Sequence, residues 1–140
     1  RAWRGGPGTE QCCSHDDPGF NTCYRSQCLV TAHEVADRMG LAEGDYQVTF
    51  QSRLGMQPWL APATANVLKE LPGQGVKSIA VVAPAFVTDC LETLEELGIR
   101  GRESFLSRGG AEFHLIDCLN DEPEWAALLA SWIDAPSRQP

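Results

Sequence analysis

Lys77-Ser78-Ile79-Ala80-Val81-Val82-Ala83 runs into Pro84-Ala85-Phe86-Val87-Thr88 and then into Asp89-Cys90-Leu91-Glu92-Thr93-Leu94-Glu95-Glu96. The first part holds a short continuous apolar run, Ile79-Ala80-Val81-Val82. That is the pattern of a strand buried on both faces of a parallel sheet. The last part reads as a helix over 88–98, with Thr88 as its expected N-cap. Asp89, Glu92 and Glu96 stand at i, i+3 and i+7 and form one acidic stripe. Leu91, Leu94 and Leu97 keep a separate apolar stripe, expected to pack inward. Like charges on one helix face cost an isolated helix about 0.2–0.5 kcal/mol per pair. A stripe of carboxylates suits a site that holds a divalent cation or accepts protons. It equally suits a solvated acidic face near a helix N-terminus, where the macrodipole favours negative charge.

The same alternation extends to both sides. Residues 1–21 are rich in Gly, Pro, Asp and Ser and read as a cysteine-bearing loop. In 22–39, Leu29, Ala32, Val35, Ala36 and Met39 recur at helical spacing, and Gly40 is the expected stop. Residues 46–52 alternate like a strand, with Tyr46, Val48 and Phe50 on one face. A helix is expected over 64–71, ended by Pro72-Gly73, another over 102–107 and a strand over 112–116. A last helix over 122–133 has Pro123 in its first turn, with Leu128, Leu129 and Trp132 expected on its inner side. Residues 22–134 thus read as one α/β domain and 135–140 as a tail. Strands alternating with helices imply βαβ units and a parallel sheet. In such sheets ligands bind beyond the C-terminal strand ends. Gln51-Ser52-Arg53, Pro84-Ala85-Phe86 and Cys118-Leu119-Asn120 all follow strand ends and should gather at one edge.

The chain has 140 residues, the size of one domain, and 43% of them are hydrophobic. A formal net charge of −8 argues against nucleic-acid binding, which needs a basic surface. It argues equally against general attraction to anionic lipids, while leaving local apolar contact with a membrane open. No apolar run is long enough to span a bilayer and no secretory signal is visible. The abrupt start, Arg1-Ala2-Trp3-Arg4 with no methionine, reads as a piece of a longer protein that lacks the N-terminal part of its fold.

Six cysteines divide into two sets. Cys90 and Cys118 each sit beside an expected strand end, where a lone cysteine is most often a small buried hydrophobe. Cys12, Cys13, Cys23 and Cys28 form a cluster between the loop and the first helix. A helical path puts Cys23 and Cys28 about 140° apart, within reach of a common centre if the first turn is irregular. Spacing leaves three readings open: disulfides, which need an oxidising compartment, a four-thiolate zinc site, and a 2Fe–2S cluster. His15 is a substitute ligand or a loop residue. His33 and His114 read as structural, with His114 at an exposed or edge position. Trp59 is either a lid or core aromatic or a flat wall for a macrocycle. Gln51, Ser52 and Arg53 either cap the sheet or contact a substrate, Arg53 through a bidentate charge-assisted pair.

Phe50-Gln51-Ser52-Arg53-Leu54-Gly55, then Pro58-Trp59-Leu60, then Pro84-Ala85-Phe86 and Asp89-Cys90-Leu91-Glu92-Thr93, resembles the C-terminal half of ferrochelatase. The resemblance runs from about Cys12 to Trp132. It implies a three-layer Rossmann-like, chelatase-like domain, about half of a two-domain fold around a porphyrin cleft. It implies insertion of ferrous iron into protoporphyrin IX to form protohaem, a lyase step of haem biosynthesis. Glu92 and Glu96 match the family's acids, which implies a catalytic role for both and a metal-guiding role for Glu92. Gln51, Ser52, Arg53, Trp59 and Asp89 are implied as substrate contacts. The position of Cys90 is often histidine in animal members and cysteine in many bacterial ones. The pattern Gln-Ser-Arg-x-Gly-x-x-Pro-Trp looks more like the protoporphyrin type than the coproporphyrin type.

A subset of bacterial members carries a cysteine-rich insertion with a Cys-Cys pair followed by Cys-Tyr-Arg-x-Gln-Cys, here Cys23-Tyr24-Arg25-Ser26-Gln27-Cys28. There the cysteines hold a 2Fe–2S cluster, which implies Cys12, Cys13, Cys23 and Cys28 as its ligands. The family's metal-inserting histidine lies in a loop of the N-terminal half, and nothing here matches that loop. The chain alone is therefore expected to be inactive. The resemblance further implies the missing N-terminal domain as partner, allows a homodimer, and implies a cytoplasmic location with peripheral contact to the inner membrane. Two rivals stand beside it: a non-catalytic metal or iron–sulfur α/β module, and a small-ligand-binding α/β domain of another family.

Overall fold

The computed structural model describes residues 22–51 and 59–134. The expected loop 1–21, the tail 135–140, and Cys12, Cys13, His15, Ser52 and Arg53 lie outside the described residues. Helix α1 is Tyr24–Met39. It stops where the sequence places its stop. Gly40 takes a left-handed φ of 69° and its N–H reaches back to Asp37 O at 3.1 Å, while Leu41 N–H reaches Ala36 O at 3.0 Å. Only a residue tolerant of positive φ closes a helix in this way.

Helix α2, Thr64–Glu70, continues as a 3-10 turn over Leu71–Gln74. The α-helical ladder ends just before Pro72, as expected, because proline has no N–H to carry it on, and the chain tightens into the 3-10 turn. Strand β1, Ser78–Val81, pairs in parallel with strand β2, Glu112–Leu115, in the register Ser78↔Glu112 to Val81↔Leu115. Between them lie a π-helix, Glu92–Gly101, and helix α3, Arg102–Leu106. Helix α4, Pro123–Asp134, closes the series. Helices alternating with parallel strands make an α/β fold, as the sequence predicts.

Four expectations are corrected. The strand expected over 46–52 pairs, among its described residues, only at Phe50. There Phe50 N–H donates to Pro62 O and its carbonyl accepts from Thr64 N–H. A strand needs a continuous ladder, and no other described segment lies alongside to supply one. The helix expected over 88–98 starts later and runs further: residues 89 and 90 are outside it, and it continues unbroken into α3. Gly98 and Gly101 are packing sites inside it. A Cβ on Gly98 would meet Leu115 Cδ2 at 3.3 Å, and one on Gly101 would meet Leu68 Cδ1 at 3.0 Å. The leucine stripe is broken, because Leu97 is 4% exposed but Leu91 is 77% exposed. A π-helix bonds i to i+5, so residues set at α-helical spacing no longer share one face. Finally, Leu128, Leu129 and Trp132 of α4 are all exposed. No described element covers that face, and an apolar groove of about 400 Å³ lined by Leu119, Trp125 and Leu128 runs along it.

The core is small. Leu68, Phe105 and Phe113 are buried together, ringed by Leu71, Ile79, Val81, Leu106 and Leu115. Phe105 is 0% exposed, and its ring lies 6.1 Å from that of Phe113 at 54°. Gly110 lies flat against the Phe105 ring, where a Cβ would come within 2.2 Å of Cε1. This core joins α2, α3 and the sheet. It fixes where the two strands end, and therefore where the loops that follow them meet.

Candidate functional site: an acidic line at the strand ends

Two loops leave the sheet at its C-terminal edge. Ile116 N–H donates to Val81 O at 2.8 Å, the last rung. Beyond it, the loop after β1 leads to the π-helix and the loop after β2 leads to α4. Asn120, on the second loop, grips the first. Its backbone N–H donates to Val87 O at 2.9 Å. Its Nδ2 donates to Asp89 Oδ2 at 2.7 Å, and its Oδ1 accepts from Asp89 N–H at 2.9 Å. Thr93 Oγ1 donates to Asp89 Oδ1 at 2.9 Å and accepts from Cys90 N–H at 2.9 Å. These donors, Asn120 first and Thr93 second, hold the Asp89 carboxyl below the usual carboxylate range. Cys118 and Cys90 stand half-buried beside the pair. Burial pushes the Cys118 thiol up, and the Asp89 carboxylate adds to that.

Past this junction the carboxylates line the start of the π-helix. Glu96 is half-buried and pinned from two sides: Gln51 Nε2 donates to its Oε2 at 2.9 Å, and Arg100 lies 3.4 Å from its Oε1. Arg100 also pairs with Glu95 at 2.6 Å. Gln51 Nε2 donates to the Glu92 backbone carbonyl as well, tying the segment after Phe50 to the first turn of the helix. Trp59 sits on that segment, its Nε1 donating to Gln51 O at 3.1 Å, with 47% of its surface exposed. Glu92 is exposed, and its carboxylate makes no hydrogen bond or ion pair among the described residues. The arrangement is one free acid at the edge, one held acid behind it, and one indole face beside them. A free carboxylate can take a proton or meet a cation, and the held one can shape its field.

Sequence reasoning places Gln51, Trp59, Asp89, Glu92 and Glu96 near one another, and the structure brings all five to this edge. Sequence reasoning places Asn120 at the same edge but gives no role to Asn120, Thr93 or Arg100, which carry bonds that hold the acids. Asn120 takes a left-handed φ of 48°, a conformation asparagine enters more readily than most residues. An asparagine in a post-strand turn was the signal available.

The cysteines of the first helix lie elsewhere. Cys23 precedes α1 and Cys28 is within it; both are half-buried free thiols. The backbone N–H of Ser26, at the helix start, lowers the Cys23 thiol, as expected near a helix N-terminus. Ser26 Oγ is fully buried without a hydrogen-bond partner. The Tyr24 hydroxyl lies against Cys28, which raises the tyrosine. These two thiols suit thiolate metal ligation. No group of three metal-ligating side chains forms among the described residues.

Residues 9–136 match the family model described as Ferrochelatase. A ferrochelatase of Pseudomonas fluorescens strain Pf-5 is 53% identical over 123 residues, covering 87% of this chain and 36% of the relative. One of Azotobacter vinelandii is 54% identical over 114 residues, covering 81% and 34%. One of Pseudomonas aeruginosa is 56% identical over 108 residues, covering 77% and 32%. The chain thus spans about a third of the length of the curated relatives it matches. With an acidic line at the strand ends of a parallel sheet, an indole beside it and this identity along most of its length, the chain belongs to the ferrochelatase family.

Proposed function

We propose that this chain supplies the acid-lined part of an enzyme that inserts Fe²⁺ into protoporphyrin IX in haem biosynthesis. The observation that carries the reading is the pairing of a free Glu92 with a held Glu96 beside an exposed Trp59. Insertion releases two pyrrole protons as two Fe–N bonds replace two N–H bonds and two further nitrogens coordinate. Glu92 accepts protons or guides the incoming iron. Glu96, fixed by Gln51 and Arg100, holds the negative potential behind it. Trp59 offers its face to the macrocycle, and Ser52 and Arg53 meet the polar edge of the substrate. Asp89 acts indirectly, since its carboxylate already accepts from Asn120 and Thr93.

The rest of the cleft, with the family's histidine loop, comes from sequence outside this chain. A full-length protein carrying this segment should insert ferrous iron, and the 140 residues alone should not, because a complete constellation supplies much of a catalytic rate. Trp59→Ala should weaken porphyrin binding, read by perturbation of the Soret band. A full-length protein that binds metal through its cysteines yet shows no porphyrin affinity would sink the reading. The location we propose is cytoplasmic, with peripheral contact to the inner membrane. Among the described residues no helix is long and apolar enough to cross a membrane.

Cys12, Cys13, Cys23 and Cys28 are proposed to hold a 2Fe–2S cluster. Support comes from the lowered Cys23 thiol and the two unpaired thiols at the start of α1, together with the Cys-Tyr-Arg-Ser-Gln-Cys run. When bound, the cluster would tie the N-terminal loop to α1 through four thiolates. Anaerobically purified protein should then be red-brown, with about two irons and two labile sulfides per chain. Stoichiometric zinc without sulfide, even after anaerobic reconstitution, would overturn the assignment.

A further inference from the structure

We infer that Asn120 is a positioning residue for the Glu92 carboxylate, acting through Asp89 and Thr93; the inference rests on the iron-insertion reading above. The loop between β1 and the π-helix has no regular structure over 82–90. Something outside it must decide where the helix begins. Asn120 makes three hydrogen bonds to that loop, at 2.7, 2.9 and 2.9 Å, from 31 residues away from Asp89. Two of them engage both the backbone and the side chain of Asp89. The other carboxylate oxygen of Asp89 then receives the hydroxyl of Thr93, which is 1% exposed and immediately follows Glu92. The chain Asn120–Asp89–Thr93 therefore ends one residue from the free acid. The bracket reaches the chain just before the π-helical stretch Glu92–Gly101 and adds side-chain bonds to the backbone bonds that Thr93 and Leu94 N–H make to Cys90 O.

The left-handed φ of Asn120 allows a clean test. Glycine tolerates that φ, so Asn120→Gly keeps the backbone bond to Val87 and deletes only the side-chain bonds. Asn120→Asp faces two carboxylates at the 2.7 Å contact. The exchange Asp89→Asn with Asn120→Asp rebuilds the side-chain pair with donor and acceptor reversed, while the residue 89 N–H and the Thr93 hydroxyl still donate to an oxygen. In a full-length protein carrying this segment, Asn120→Gly should lower kcat by about 10–100-fold, the scale of a small misplacement of a reacting group. KM for porphyrin should stay within about twofold, as expected when ground-state binding is spared. Asn120→Asp should be worse, and the reciprocal exchange should recover at least about tenfold over Asn120→Asp, since a double-mutant cycle isolates the pair.

An Asn120→Gly variant with unchanged kcat, one that raises KM alone, or an exchange no better than Asn120→Asp would each overturn the inference. Amide exchange gives a readout independent of activity. The N–H groups of Thr93 and Leu94 should exchange faster in Asn120→Gly and return toward the parent rate in the exchange variant, as local opening predicts. If the unsubstituted protein inserts no iron, the reading of the reaction fails. The exchange rates then still decide whether the bracket holds the helix start.

Discussion

Glu92→Gln in a full-length protein carrying this segment should lower iron insertion by about 10²–10⁴-fold, the usual contribution of a general base. The substitution removes charge and basicity and leaves volume nearly unchanged. Porphyrin affinity should therefore survive, because Trp59 and not Glu92 offers the stacking surface. Glu96→Gln should cost less. Its amide can still meet Gln51 or Arg100, and its carboxylate acts on Glu92 through field and orientation. Steady-state iron insertion beside porphyrin titration separates the two effects. Wild-type turnover by Glu92→Gln would return the acidic line to a solvated helix face.

The largest loss of stability should come from Phe105→Ala, at about 3–5 kcal/mol for a fully buried phenylalanine. Native proteins are stable by only about 5–15 kcal/mol, so much of the margin would go. Phe105 is the side chain through which α3 meets β2 and Gly110. Gly110→Ala attacks the same contact from the other side. Its new methyl would press into the ring, and overpacking of this kind costs about 1–3 kcal/mol. The double variant should be less destabilised than the sum, because the methyl enters the space that the ring vacates. Urea unfolding midpoints read all three. A Phe105→Ala loss below about 1 kcal/mol would show that this cluster is not the core.

Much of the fold was legible because its signals are local. Gly40 stops α1 through its own backbone, Pro123 opens α4, and the run Ile79-Ala80-Val81-Val82 marks the strand. The partners of the site were less legible, because they are long-range. Asn120 reaches Asp89 across 31 residues and Gln51 reaches Glu96 across 45. No periodicity in the sequence records such a bond. Gly98, where the sequence predicts the helix to end, lies inside it instead, small so that Leu115 can come close.

By itself, the sequence determined the class of the molecule: strands and helices in alternation, an acidic run after a buried strand, and the motifs of the ferrochelatase family. These are properties of neighbouring residues, and neighbours interact whatever the rest of the chain does. Only the tertiary structure decided which acid is free and which is held. Glu92 and Glu96 are chemically alike and four residues apart. The difference between them comes from Gln51 and Arg100 meeting Glu96, while the carboxylate of Glu92 meets neither. A carboxylate's chemistry is set by the donors and the water around it, and those were placed by packing, not by spacing.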